Sequence, residues 1–162
     1  MSQNKSPLWH NFFRKKTEFT ERIAELWLQT PLFNKISKKH CQLLVPDMHL
    51  RTYQNNEVIF RQGETGIGAA LILSGQVNIT SNDKTLATLG SGDFFGEVAL
   101  VVDEPRTANA VTTENTEVIF FLRQNLDELT DRYPRDGARL MRNLAKILAT
   151  RLRISNQSVT NE

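Results

Sequence analysis

Short apolar runs separated by turn residues fill the middle of the chain and limit its fold more than any other feature. They lie between about residues 48 and 122, and residues 58–60, 71–73 and 118–121 are typical of them. Gly, Asn, Asp and Ser occupy the intervals, as at Ser74-Gly75 and Asn82-Asp83. Many short strands joined by regular turns predict a small antiparallel barrel or sandwich.

A helix is predicted before this region. Ser6 is a favoured N-cap residue, and Pro7 suits the first helical position. Apolar residues then recur at helical spacing, which predicts an amphipathic helix ending near Thr30-Pro31. They are Leu8, Phe12, Phe19, Ile23 and Leu26, with Trp9, Phe13 and Trp27 beside them. This face either packs on its own domain or docks a partner or a second copy. A second, shorter helix is predicted over about residues 31–45.

The last part of the chain, about residues 124–156, is again predicted to be helical, with a break near Tyr133-Pro134. Arg151 interrupts its apolar face, because it falls beside Leu144 and Leu148 at 100° per residue. A guanidinium there is costly unless it is paired. It would reach the helix end, pair with a local carboxylate, or meet an anionic ligand or pocket. Ser155 follows one turn later.

Composition narrows the class of protein. The chain has 162 residues, 40% of them hydrophobic, which suits one compact domain. The net charge of +2 predicts no nucleic-acid partner, and basic residues of the last helix are interpreted as a solvated face. A single cysteine excludes an internal disulfide. No membrane span or signal peptide is evident, so a cytoplasmic location is predicted.

The stretch GSGDFFGEVAL at residues 90–100, followed by PRTA at 105–108, holds the candidate chemistry. A brief helical turn after Gly96 would aim backbone N–H groups at an anion. Arg106 offers a bidentate grip on a phosphate, and Glu97 would accept hydrogen bonds from sugar hydroxyls. These residue types indicate a sugar phosphate or nucleotide. The alternative is an ordinary turn in which Glu97 and Arg106 pair with each other.

At these residues the chain resembles the cyclic nucleotide-binding domain family, which includes bacterial cyclic-AMP receptors and the regulatory subunits of protein kinase A. The family's phosphate-binding cassette reads F-G-E-[LI]-[AC]-L and then [PR]-R-[TAS]-A. Here it is FGEVAL at 95–100 and PRTA at 105–108. Gly63-Glu64, followed by a strand and Gly75, is a second similarity. The resemblance covers about residues 31–156.

The resemblance implies an α+β fold: an antiparallel, jelly-roll-like β-roll of about eight strands, flanked by N-terminal helices and a C-terminal helix pair. It also implies three parts of the chain. Residues 1–30 would be an N-terminal amphipathic helical extension, residues 31–156 the cyclic nucleotide-binding domain, and residues 157–162 a short tail.

The same resemblance implies the ligand contacts. Glu97 and the Gly96 backbone would bind the ribose 2′-hydroxyl, and Arg106 would pair with the cyclic phosphate. Backbone N–H groups of Ala99 and Thr107, with the Thr107 hydroxyl, would complete the phosphate cradle. Arg151 and Ser155 would contact the ligand and its base from the last helix. The whole implied ligand-binding set is Gly96, Glu97, Val98, Ala99, Arg106, Thr107, Arg151 and Ser155.

Two features bear on ligand choice. Thr107 is compatible with cGMP or cAMP, and the resemblance of the last helix to the bacterial receptors favours cAMP.

Asn156 stands where those receptors have a serine that reaches across a dimer. Ala69-Ala70 replaces a usual aromatic pair and Ile67 a usual polar residue, which predicts altered packing or an altered pocket floor.

The function predicted from the sequence is a stand-alone cyclic nucleotide sensor, with no cofactor besides its ligand. Movement of the last helix would signal to a protein partner or a dimer mate through that helix or the N-terminal one. The alternative is an interaction module that keeps the fold without ligand. An enzyme is not expected, because His10, His40 and His49 form no metal-ligand spacing. A DNA-binding domain is not expected either, since only residues 157–162 follow the last helix.

Overall fold

Two four-stranded antiparallel sheets form the centre of the computed structural model, which describes residues 7–160 and the side chains of residues 13–157. One sheet has the strand order β1-β8-β3-β6 and the other β2-β7-β4-β5. The strands are β1 (His49–Tyr53), β2 (Val58–Phe60), β3 (Gly68–Ser74), β4 (Gln76–Ser81), β5 (Lys84–Gly90), β6 (Phe94–Phe95), β7 (Asn109–Thr112) and β8 (Thr116–Leu122). The predicted eight-stranded antiparallel roll is therefore confirmed.

Four helices flank the roll, two on each side of it in the sequence. They are α1 (Pro7–Gln29), α2 (Lys38–Leu44), α3 (Arg123–Arg132) and α4 (Pro134–Thr160). The prediction of a helix over residues 31–45 is wrong in its first half, since α2 begins only at Lys38. Lys35 has a positive φ of 63° that no α-helix tolerates. The C-terminal helix pair breaks at Tyr133, as predicted, and α4 continues beyond residue 156.

The main core lies between the helices and the β1-β8-β3-β6 sheet. Trp27 of α1 packs with Phe33 and Phe121, with ring centroids 5.0 to 5.8 Å apart. Ile23 and Ala24 are also fully buried, so the C-terminal half of α1 belongs to this core. Phe13 and Phe19 nearer the start of α1 are exposed. The side chains of Leu8, Trp9 and Phe12 lie outside the described residues.

Strand β3 is buried on both faces, which explains its two alanines. Ala69 packs into the helix-side core, whereas Ala70 packs into a second core inside the roll and pairs in register with Phe95. Because both faces are covered, neither position has room for a large ring. Ile67, by contrast, is 60% exposed.

Candidate functional site

The stretch at residues 90–100 divides into a plain turn and a functional segment. In the turn, the Asp93 carboxylate accepts a hydrogen bond from the Gly90 N–H at 2.8 Å, and Gly92 has a φ of 88°. Gly96 has a φ of 76°, a conformation that L side chains rarely adopt, and it opens a short 3-10 helix, Glu97–Leu100. A Cβ atom on Gly96 would lie 2.7 Å from Arg106 Nη1. The brief helical turn predicted here is present.

Glu97 is a fully buried carboxylate at the start of that 3-10 helix. Its Oε1 accepts a hydrogen bond from Arg151 of α4, a residue 54 positions away. Its Oε2 has no hydrogen-bond partner among the described residues. An ionised oxygen buried without a partner is costly, so this atom is a candidate acceptor for a ligand hydroxyl.

Arg106 does not pair with Glu97, so the interpretation of a simple ion pair between them is wrong. Its guanidinium donates instead to the carbonyls of Gly96 and Gly68, both at 2.9 Å. Its Cζ lies 4.1 Å from the centre of the Phe60 ring, within the range of a cation–π contact. These contacts fix the plane of the guanidinium.

Partial burial affects the pKa of Arg106 but does not remove its charge. Desolvation lowers the pKa of Arg106 from its ordinary value, and the nearby carboxylates of Glu97 and Glu64 act in the opposite direction. An arginine side chain remains protonated in proteins, so the guanidinium stays a cation. Its Nε is buried with no acceptor among the described residues.

Both charged groups line a cavity of about 630 Å³, a volume in the range of small-molecule sites. All eight residues predicted for the ligand site lie around it: Gly96, Glu97, Val98, Ala99, Arg106, Thr107, Arg151 and Ser155. One wall is apolar and comes from the two sheets and α4: Phe60, Ile79, Leu86, Leu89, Phe95 and Ile154. The cavity thus combines a charged end with a hydrophobic one, which suits a ligand with an anionic part and a flat apolar part.

A protein-family model for the cyclic nucleotide-binding domain matches residues 50–133, a stretch that includes the whole cassette. This chain belongs to the cyclic nucleotide-binding domain family. The "cyclic AMP receptor protein" of Thermus thermophilus is 34% identical over an alignment of 129 residues that covers 76% of this chain and 58% of that protein. A "cGMP-dependent protein kinase" of Plasmodium berghei is 40% identical over 84 residues, covering 52% of this chain and 10% of the kinase.

A solved structure supports the same assignment. A cyclic nucleotide-binding domain from Methylobacillus flagellatus has a TM-score of 0.74 and 25% identity, covering 90% of this chain and 84% of that one. The chain spans less than two thirds of the length of the two relatives named above. Its similarity to the kinase is to a binding domain that makes up a small part of that enzyme.

One departure from the family's cassette pattern lines the cavity, since Val98 stands where that pattern has leucine or isoleucine. Three other departures, Ala69, Ala70 and Ile67, do not line it. Asn156 lies instead along a shallow groove on α4 beside Leu152. Among residues 13–157, no group of three or more His, Cys, Asp or Glu side chains is arranged to hold a metal ion. Nor does any helix in the described part of the chain have the length and apolarity to cross a membrane.

The sequence did not predict two residues that contact the site. Phe60 stacks on Arg106, yet its position within a short apolar run indicated only a strand residue. Arg123, the first residue of α3, donates to backbone carbonyls of the cassette. No local pattern marks either contact, because each joins segments that are more than 20 residues apart.

Proposed function

We propose that this domain is a cyclic nucleotide sensor whose ligand is cAMP in preference to cGMP. The buried Glu97 carboxylate supports this proposal most strongly, because Glu97 has an unpartnered Oε2 and lines the same cavity as Arg106. A cyclic nucleotide offers the matching groups on one ring system: a ribose 2′-hydroxyl that donates and an anionic phosphate that accepts. The ligand would replace solvation that Glu97 lost on folding.

In this proposal each charged residue has one role. Glu97 and the Gly96 backbone bind the 2′-hydroxyl, and Arg106 binds the phosphate. Ala99 and Thr107 contribute backbone N–H groups, and Thr107 its hydroxyl, to the same phosphate. Val98 lies between Glu97 and Ala99 in the 3-10 helix and is 42% exposed, so its side chain contributes apolar contact.

The base would lie against the apolar wall, with Arg151 and Ser155 of α4 next to it. Ile79, Leu86 and Leu89 offer the base a hydrophobic surface but no polar side-chain group. Hydrogen bonds to the base edge would therefore come from α4. The cAMP receptor relative, whose match extends over more of this chain than that of the cGMP kinase, supports cAMP as the first candidate.

Signalling would go through α4, because Arg151 connects that helix to the cassette across the cavity. A ligand that contacts both sides would shift the helix between two positions. Met141 and Leu152, exposed on α4, and Phe13 and Phe19, exposed on α1, supply apolar surface for an output. We propose a second copy or a protein partner at one of these two helices.

We propose this sensor over the alternative of an interaction module without ligand. The replacement at Ala69-Ala70 is the sequence feature that favours that alternative, and neither alanine lines the cavity. We further propose that the domain binds the nucleotide without converting it. Incubation with cAMP followed by chromatography would return the nucleotide intact, whereas any hydrolysis product would contradict this.

Calorimetric titration with cAMP and with cGMP tests the proposed function. We expect saturable binding to the wild type and a loss of about 2–5 kcal/mol for Arg106→Ala, because a buried charge-assisted contact is removed. Arg106→Lys should fall between the two, since an ammonium keeps the charge but not the planar fork. Arg142→Ala, on the exposed face of α4, is the matched control and should bind as the wild type does. A folded wild type that binds neither nucleotide would overturn the proposal.

A further inference from the structure

Arg123 binds the cassette from outside the cavity. Its Nε donates to the carbonyl of Ala99 at 3.0 Å, and its Nη2 donates to the carbonyls of Ala99 and Val102, both at 2.9 Å. A longer contact of 3.4 Å joins Nη2 to the Gly66 carbonyl. The backbone N–H of Arg123 donates to the Ile67 carbonyl at 2.9 Å. One residue at the start of α3 therefore holds two separate loops.

The accepting carbonyls lie at the C-terminal end of the 3-10 helix. Carbonyl groups at the end of a helix lack partners within it and carry partial negative charge. A guanidinium that donates to two of them satisfies both the hydrogen bonds and the charge. The ion pair of Arg123 with Asp103, at 3.5 Å, adds little because the Asp103 side chain is 77% exposed. Arg123 thus holds the cassette mainly through hydrogen bonds to backbone carbonyls of the cassette.

This grip reaches the ligand cavity in two ways. Ala99, whose carbonyl Arg123 binds, lines the cavity. Gly66, the third acceptor, packs directly against Ala99 and Arg106. A Cβ atom on Gly66 would lie 2.6 Å from the Ala99 Cβ and 3.1 Å from the Arg106 Cζ. A shift of the cassette on phosphate binding would therefore change the surroundings of the Arg123 guanidinium.

At its other end, α3 is coupled to α4 by close packing. Gly137 of α4 approaches α3 so closely that a Cβ atom there would lie 2.6 Å from the Cα of Thr130. Helix α4 in turn returns to the cassette through the hydrogen bond of Arg151 to Glu97. The cassette is thus connected to the α3–α4 pair twice, through Arg123 at the start of α3 and through Arg151 near the end of α4.

We propose that Arg123 is a positioning residue that transmits the state of the cassette to the α3–α4 pair. This inference rests on the proposed function. Nucleotide binding rearranges the 3-10 helix, and Arg123 carries the displacement of its carbonyls to the first turn of α3. Because α3 and α4 pack without a gap at Gly137, a displacement of α3 moves α4 as well. In this arrangement Arg151 responds to the ligand by direct contact, whereas Arg123 responds to the position of the cassette.

Amide NMR on the full chain tests this proposal. Spectra of the wild type and of Arg123→Gln are recorded with and without saturating cAMP or cGMP. We expect Arg123→Gln to bind the nucleotide roughly tenfold more weakly. At saturation its cassette amides should still shift, while the shifts in α3 and in residues 134–144 of α4 should be strongly reduced. Arg132→Gln, at the far end of α3, is the matched control and should shift as the wild type does.

The two ways of failing are distinguishable. If Arg123→Gln shows wild-type shifts in α3 and α4 at saturation, the nucleotide acts on the helices without Arg123, and this proposal alone is overturned. If the wild-type spectrum does not change with either nucleotide, the proposed function fails and this inference fails with it.

A conservative variant keeps the test decisive if Arg123→Gln does not fold. Arg123→Lys retains the cation but not the guanidinium that donates from Nε and Nη2 together. We expect it to fold and to keep part of the helix response, intermediate between the wild type and Arg123→Gln. A full wild-type response in a folded Arg123→Lys would overturn the proposal, because a single point charge would then do what we assign to the fork.

Discussion

Two buried carboxylates connect α4 to the rest of the domain, and they differ in how many of their oxygens have hydrogen-bond partners. Asp136, in the first turn of α4, has both oxygens in use. Its Oδ2 accepts the Ser37 N–H at 3.0 Å and lies 2.8 Å from His40 Nδ1, and its Oδ1 accepts from Arg139 at 3.3 Å. Glu97 is more deeply buried, yet only its Oε1 has a partner, the Arg151 guanidinium.

The difference separates a structural joint from a binding site. A buried carboxylate whose oxygens are all bonded stabilises the arrangement that bonds it, and here it fixes the start of α4 against the segment before α2. A buried oxygen without a partner costs about 1–3 kcal/mol, which a ligand recovers when it supplies the missing donor. Three substitutions test this contrast.

Asp136→Ala should have the largest effect, and on stability. We expect a loss of about 3 kcal/mol in the free energy of unfolding, because a buried charge is removed from three partners at once. Urea unfolding measures it, with Asp127→Ala on the exposed side of α3 as the control at about 0.5 kcal/mol or less. Nucleotide affinity should remain unchanged. An Asp136→Ala protein as stable as the control would show that this junction is no structural joint.

Glu97→Gln should show the opposite pattern. We expect cAMP affinity to fall by about 2 kcal/mol, roughly thirtyfold, since the hydrogen bonds to the 2′-hydroxyl lose their charge assistance. Stability should be equal to the wild type or higher, because burying an incompletely paired charge is unfavourable. Calorimetry and urea unfolding on one preparation give both quantities. A loss of stability with unchanged affinity would place Glu97 in the same class as Asp136.

Arg151→Gln should have the smallest effect of the three. The Arg151 side chain is 51% exposed, so solvent screens its ion pair with Glu97. We expect cAMP affinity to fall by about 1 kcal/mol or less. Arg153→Gln, two residues further along the same helix, is the control and should bind normally. A loss as large as that of Glu97→Gln would contradict the expectation that a half-exposed arginine contributes less to the site than the buried carboxylate does.

The contrast also shows what a sequence can predict. The cassette was predictable because its residues are close together in the chain: Gly96, Glu97 and Arg106 fall within eleven positions, and a glycine with positive φ is a local requirement. Apolar runs and turns predicted a small antiparallel barrel or sandwich, and the family resemblance added the number of about eight strands. The family comparison confirms both the membership and the fold that the cassette motif indicated.

What escaped prediction depends on long-range packing. The sequence left four possible surroundings open for Arg151: the helix end, a local carboxylate, an anionic ligand or a pocket. Helical periodicity shows which face a residue occupies but not what lies opposite. In the structure the partner is Glu97, 54 residues away. Phe60 and Arg123 escaped for the same reason, since each meets the cassette only after the sheets are paired. The junction of His40 with Asp136 joins residues 96 positions apart.

A crystal structure of the domain grown with saturating cAMP would test the central claim most directly. We predict density for the nucleotide in the cavity, with the ribose 2′-hydroxyl about 3 Å from Glu97 Oε2 and the phosphate oxygens on Arg106. Asp136 should keep the partners it has now. Nucleotide bound elsewhere on the domain, or a cavity without nucleotide at saturating concentration, would contradict the account.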